Sequence, residues 1–152
     1  MNRQFLSIVG VVAVVAAGCG DGGSGPEGDL IPAELAAEWY TGATCYPQCG
    51  LTLVPVANPA DSMNFTRTST TTLRLTRSGG YSMRIVGTAD TTVSGRARAE
   101  AGYLVLSDPT GADTADYVLE GEYLSLHWRR RVAVSDGGTT FDARLKGRFR
   151  KR

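Results

Sequence analysis

From residue 51 to residue 150 the side chains alternate between apolar and polar with a period of two, and a chain with that rhythm has little choice but to form sheet. Successive side chains of a strand point to opposite faces, so each such run has one apolar face and one polar face. Leu73 and Leu75 face one way, Arg74 and Thr76 the other. After Ser78-Gly79-Gly80, the residues Tyr81, Met83 and Ile85 alternate with Ser82 and Arg84, and two such runs split by a short glycine loop read as a hairpin. Val93, Gly95, Ala97 and Ala99 then alternate with Ser94, Arg96, Arg98 and Glu100; a face of such small residues suits a crowded or curved part of a sheet. A short apolar run at 103–106 ends in the turn Asp108-Pro109-Thr110-Gly111, and the segments 117–119, 123–128 and 132–134 continue the series. In the last run Phe141, Ala143, Leu145, Gly147 and Phe149 share one face, with Asp142, Arg144, Lys146, Arg148 and Arg150 on the other. Adding the segment near Trp39 and the run 51–56 gives eight or nine strands, while helix signal is confined to one turn at 32–38. The expectation is an all-β fold, a small up-and-down antiparallel barrel of about eight strands, with a two-sheet β-sandwich as the alternative. The interior of such a barrel is either filled or able to hold one small ligand.

The amino terminus is organised differently. Arg3 and the free amine supply positive charge, an apolar run of 13 residues follows at 5–17, and Ala16-Ala17-Gly18 offers small side chains to a peptidase. A bilayer-spanning helix needs roughly 20 apolar residues, so a cleaved export signal is the better reading. The small residues run directly into Cys19, and Ala16-Ala17-Gly18-Cys19 resembles the bacterial lipobox, with Ala16 where the pattern more often has Leu. The resemblance implies cleavage before Cys19, acylation of its thiol, and an exported chain lipid-anchored to a bacterial membrane on a periplasmic or surface face. More than one acyl chain makes such anchoring stable. Residues 20–29, GDGGSGPEGD, contain nothing that could pack and read as a flexible tether with an average reach of about 17 Å. The expected organisation is therefore a signal peptide at 1–18, a lipidated cysteine and tether at 19–30, and one β domain at 31–152.

A formal net charge of +1 gives no global field that would argue for nucleic acid. The distribution is less even: residues 19–66 carry six acidic side chains and no Lys or Arg, whereas 129–152 carry nine basic and two acidic ones. Such asymmetry marks either a surface for anionic lipid or polyanion, or merely the solvated outer faces of two strands.

Leu35-Ala36-Ala37-Glu38-Trp39 resembles the L-x-G-x-W opening of lipocalin-like domains, with Ala37 in place of the glycine. Residues 73–83 and 117–126 are similar to later strand-turn-strand phrases of small bacterial lipocalin-like domains, so the resemblance spans most of 31–149. It implies a barrel in which Trp39 packs at the closed end and an arginine of the final strand, Arg148 or Arg150, lays its cation over the ring.

Cys45 and Cys49 remain once Cys19 is set apart. An even count in an oxidising compartment makes a disulfide closing a tight loop the default. The alternative is a redox or metal-sensing pair. An outer-membrane copper-response lipoprotein family places a C-x-x-C pair in this region, but here the spacing is C-x-x-x-C, and no spacing supports Met63 or the lone His127 as a further ligand. One histidine and no G-x-S-x-G phrase leave nucleophilic hydrolysis without its parts, so no catalytic residue is assigned. Glu120 and Glu122 flank Gly121, and Asp113 and Asp116 sit near turns, where carboxylates serve the backbone. No cofactor or metal is expected.

Two functions fit. In the first, the barrel binds a small apolar or amphipathic ligand through Leu73, Leu75, Tyr81, Met83, Ile85 and Phe141. In the second, the barrel carries no cargo and acts as a structural or interaction module of the cell envelope through its exterior basic surface.

Overall fold

The computed structural model describes residues 30–87, 90–136 and 138–152. The signal, Cys19 and nearly all of the tether lie outside the described residues. The strands are β1 (Glu38–Thr41), β2 (Gly50–Pro55), β3 (Met63–Asn64), β4 (Thr70–Leu75), β5 (Gly80–Val86), β6 (Asp90–Glu100), β7 (Tyr103–Asp108), β8 (Gly111–Glu120), β9 (Tyr123–Asp136) and β10 (Thr139–Lys151). From β4 onward each strand pairs antiparallel with its successor, and β10 returns to pair with β1. That last pairing closes the sheet into an eight-stranded up-and-down barrel rather than a sandwich.

Ten segments make eight staves because two staves are broken. β1 and β2 lie end to end along one edge of β10, with Tyr40 opposite Arg150 and Gly50 opposite Arg148. Residues 42–49 therefore leave the wall and rejoin it next to the point of departure. β4 and β3 flank them in the same end-to-end manner, Glu38 facing Arg74 and Thr52 facing Asn64. The excursion holds a single 3-10 turn at Ala43–Cys45, and Cys45 and Cys49 stand at disulfide distance with Cα atoms 5.4 Å apart.

One end of the barrel is sealed by residues 30–37. The Leu30 amide donates to the Arg77 carbonyl at 2.9 Å, its carbonyl accepts from the Ala99 amide at 2.9 Å, and the Leu75 amide reaches the Ala37 carbonyl. Ile31 and Leu35 are thereby buried as a stopper. The helical turn read at 32–38 is one turn only: the Leu35 and Ala36 amides both donate to the Pro32 carbonyl, and the chain is extended from Glu38. Trp39 is fully buried behind this turn, its indole N–H donating to the Leu35 carbonyl at 3.0 Å, because a buried indole needs an acceptor.

The inward side chains form a main core in which Trp39, Leu73, Leu104, Leu124, Leu126 and Phe149 are essentially inaccessible. A smaller cluster of Leu53, Val134 and Ala143, with Met63, Phe65 and Phe141 against it, occupies the far end of β9 and β10. The small-residue face of β6 lies where the wall bends: Arg96 faces both Gly80 of β5 and Ser107 of β7, so β6 changes partners at that point. A Cβ on Gly95 would collide with the Ser107 carbonyl, which accounts for glycine there. Gly147 serves differently; a Cβ on it would strike the ring of Phe149, which folds back along its own strand.

β9 differs from expectation. The segments 123–128 and 132–134 are one strand, with Arg129, Arg130 and Arg131 inside it. The ladder with β10 shifts between Arg144 and Lys146, and this irregularity lets three consecutive cations stay in a strand while Trp128 before them and Val134 after them stay buried.

Candidate functional site

Alternation along β10 sends Asp142, Arg144, Lys146, Arg148 and Arg150 to the outside, and along β9 it sends His127, Arg129 and Arg131 there too. The register then decides which of them meet. Arg131 stands directly opposite Arg144, and His127 directly opposite Lys146. In the Arg131–Arg144 pair two like charges face each other, which works against the sheet, while His127 lies between Lys146 on one side and Asp116 on the other. Of the other basic groups on this wall, Arg130 bonds Asp113 through its backbone amide only, and the following four are matched. Arg150 binds Glu122 at 3.1 Å, Arg152 binds Glu38 at 3.0 Å, Arg148 reaches Glu120 at 3.5 Å, and Arg129 is paired with Asp116. Aromatic rings take up several of the same groups: Arg148 lies 4.8 Å from the Tyr123 centroid, Arg129 5.1 Å from Tyr103 and Arg152 4.5 Å from Tyr40. Among the described residues Arg131, Arg144 and Lys146 have neither a carboxylate nor a ring.

The excursion 42–49 stands beside the lower half of this strip, and an open groove of about 320 Å³ lies between the loop and the wall, with His127, Lys146 and Arg148 still exposed. Pro47, Gln48 and Cys49 line it from the loop, Thr52 and Asn64 from one side, and Ser125, His127, Lys146 and Arg148 from the wall. Asn64 holds the adjoining backbone, its side-chain oxygen accepting from the Thr66 amide at 2.9 Å. A second hollow of about 490 Å³ at the sealed end is lined by Glu38, Arg74 and Arg77 among others, so its charges are mixed.

Arg129 and its hydrogen bond hold the Asp116 carboxyl below the usual carboxylate range. Asp108, at the mouth of the barrel, is also lowered, chiefly by the Thr110 hydroxyl that donates to it. Tyr81 goes the other way: burial, and then the Asp108 charge, push its hydroxyl up to about 12.

Leu73, Leu75 and Tyr81, expected to line a ligand space, are 1%, 2% and 8% exposed and packed together in the core. Met83 and Ile85 are half-buried against the same cluster, and Phe141 belongs to the smaller one. Trp39 takes its expected place at the sealed end, but neither Arg148 nor Arg150 lies over it. Both project outward while Trp39 projects inward, and the cation 5.8 Å from its ring is Lys151, its direct partner across the ladder. His127 and Lys146 come together as a register pair, whereas Met63 packs in the smaller core cluster. Among the described residues no group of three or more His, Cys, Asp and Glu is placed to hold a metal ion. Gln48 and Asn64 escaped the sequence reading altogether; only the path of the excursion brings them to the basic wall. No protein-family model, curated protein or solved structure matches this chain.

Proposed function

We propose that this chain is an envelope lipoprotein, anchored to a bacterial membrane through lipidated Cys19, whose lipocalin-like barrel works from its outside as a docking module for an anionic, phosphate-bearing envelope polymer. The observation that supports this most is the pairing of Arg131 with Arg144 and of His127 with Lys146, without carboxylates to neutralise the three permanent cations. A fold keeps facing like charges at some expense to its own stability, and a polyanion laid along the strip removes that repulsion. The position of the strip agrees. Leu30, where the tether ends, is held by Arg77 and by Ala99 of β6, and β6 and β10 lie four staves apart in a ring of eight. The basic wall thus faces away from the tether's point of entry. An interior ligand has less support, because the side chains that would hold it are already packed against one another.

The test uses the full acylated chain in neutral detergent micelles and fluorescently labelled long-chain polyphosphate, followed by anisotropy. Binding should weaken strongly as salt rises from about 0.1 to 1 M, where the screening length falls from roughly 10 to 3 Å. The variant R131Q/R144Q/K146Q should lose most of it. Equal affinity in the parent and the triple variant, or affinity indifferent to salt, would overturn the proposal.

A further inference from the structure

The basic strip has two parts that differ in shape, and the difference bears on the ligand. Arg131 and Arg144 lie on open wall, whereas Lys146 and His127 form the floor of the groove beside the 42–49 excursion. Resting on the docking function proposed above, we infer that this groove is a discrete subsite for one phosphate group together with the polyol or sugar that carries it.

Three features of the lining select that class. First, its lining combines donor-bearing side chains of two elements: Lys146, His127 and Ser125 of the wall and Gln48 of the loop. Several donors in one groove suit a tetrahedral group with several acceptor oxygens, and an ammonium with three donors is well matched to phosphate as a point charge. A planar carboxylate is better met by one guanidinium fork, and the sole guanidinium of the lining, Arg148, is already engaged with Glu120 and the Tyr123 ring. Second, the open groove of about 320 Å³ has more room than one anion needs, since a single water requires only about 10–15 Å³ of such space. Third, the remaining lining is amide and hydroxyl: Thr52, Asn64 and Gln48 offer donors and acceptors to hydroxyl groups and little apolar surface to a hydrocarbon.

The excursion is what turns a charged wall into a pocket. Cys49 lies in the lining and Cys45 at the foot of the same turn, joined by the backbone hydrogen bond from the Cys49 amide to the Cys45 carbonyl at 3.0 Å. The cysteine pair therefore holds the loop side of the subsite in shape, a role that needs no metal and no redox change.

The subsite is tested by amide NMR of the full chain in neutral detergent micelles, with glycerol 3-phosphate, glycerol and sulfate as probes. Glycerol 3-phosphate should cause saturable shifts at Gln48, Gly50 and Gly147, glycerol none, and sulfate should bind less tightly. Lys146→Gln should weaken binding about tenfold, the loss of one charge-assisted hydrogen bond, while R131Q/R144Q should change it less than about twofold. Absent shifts, or equal losses in the two variants, would overturn the subsite, the second outcome by showing a diffuse field. Polyphosphate binding that persists without glycerol 3-phosphate shifts refutes the subsite and leaves the docking function standing; loss of both refutes the two together. Shifts of the same amides by phosphatidylglycerol vesicles identify a lipid headgroup as the source of the phosphate. Shifts by the soluble ester alone identify a free or polymer-borne one.

Discussion

Three threonines are buried in this barrel at 1% exposure each, and they make opposite predictions. Thr66 accepts a hydrogen bond from the Leu51 amide at 3.0 Å. Thr41 and Thr71 face one another across the β1–β4 ladder, and neither hydroxyl has a partner. A buried polar group left unpaired costs about 1–3 kcal/mol. Valine has the shape of threonine without that group, so Thr41→Val and Thr71→Val should each stabilise the fold by about 1–2 kcal/mol. Thr66→Val should destabilise it by a similar amount, because it leaves the Leu51 amide unpaired. For a domain of this size 1 kcal/mol moves Tm by roughly 3–6 °C. The assay is equilibrium urea unfolding, with the slope m required to stay constant so that the midpoint reports stability alone. Because the two side chains are direct neighbours across the ladder, their effects are coupled, and a double-mutant cycle measures that coupling. Destabilisation by 1 kcal/mol or more on either single change would refute the reasoning. It would mean that the two hydroxyls jointly hold something, a bridging water or the polar atom of a guest, inside the barrel.

Two further predictions concern the mouth and the bend. Tyr81, raised to about 12 from an ordinary 10, favours the fold while it is neutral; this contribution is full below pH 10 and is lost as pH rises through 12. Tyrosinate absorbance should therefore show one tyrosine titrating near pH 12, and Tyr81→Phe should remove that late step; a titration of all tyrosines near 10 would contradict it. Gly95→Ala should destabilise by more than about 2 kcal/mol, since the new methyl meets a backbone carbonyl that cannot turn aside, whereas Gly102→Ala, where nothing lies within 4 Å, is limited to the strain of its positive φ. Urea unfolding compares the two, and equal losses would count against the account of the bend.

The strand series was legible because solvent on one face and core on the other leave a period-two trace, clearest in β10, where every expected inward residue from Ala143 to Phe149 turns inward. Where that trace is interrupted, sequence misled. Arg129-Arg130-Arg131 looked like a break between strands because an irregular ladder abolishes the alternation it is read from. The same limit explains the sealed end: Arg148 and Arg150 were the obvious cations for Trp39, but only the register reveals that Lys151 is its partner. The basic character of the last strands was visible as composition. Which cations lack a counter-charge was not, because each pair depends on a neighbouring strand, such as β8 supplying Glu120 to Arg148. The groove was beyond reach for a plainer reason, since one side of it is a loop whose course no periodicity records.

The excursion between β1 and β2 is eight residues long. Tyr40 faces Arg150 and Gly50 faces Arg148, so Thr41 and Gly50 occupy adjacent places on the β10 edge and the wall reads across the gap as if residues 42–49 were a parenthesis. What turns Leu51 and Leu53 inward is the register of β2, Leu51 against Gly147 and Leu53 against Leu145, and not the number of residues inside the brackets. Lengthening or shortening the insert is thus free of consequence for the barrel's two faces and full of consequence for the groove. The chain has separated the part that must stay constant from the part that can be rewritten.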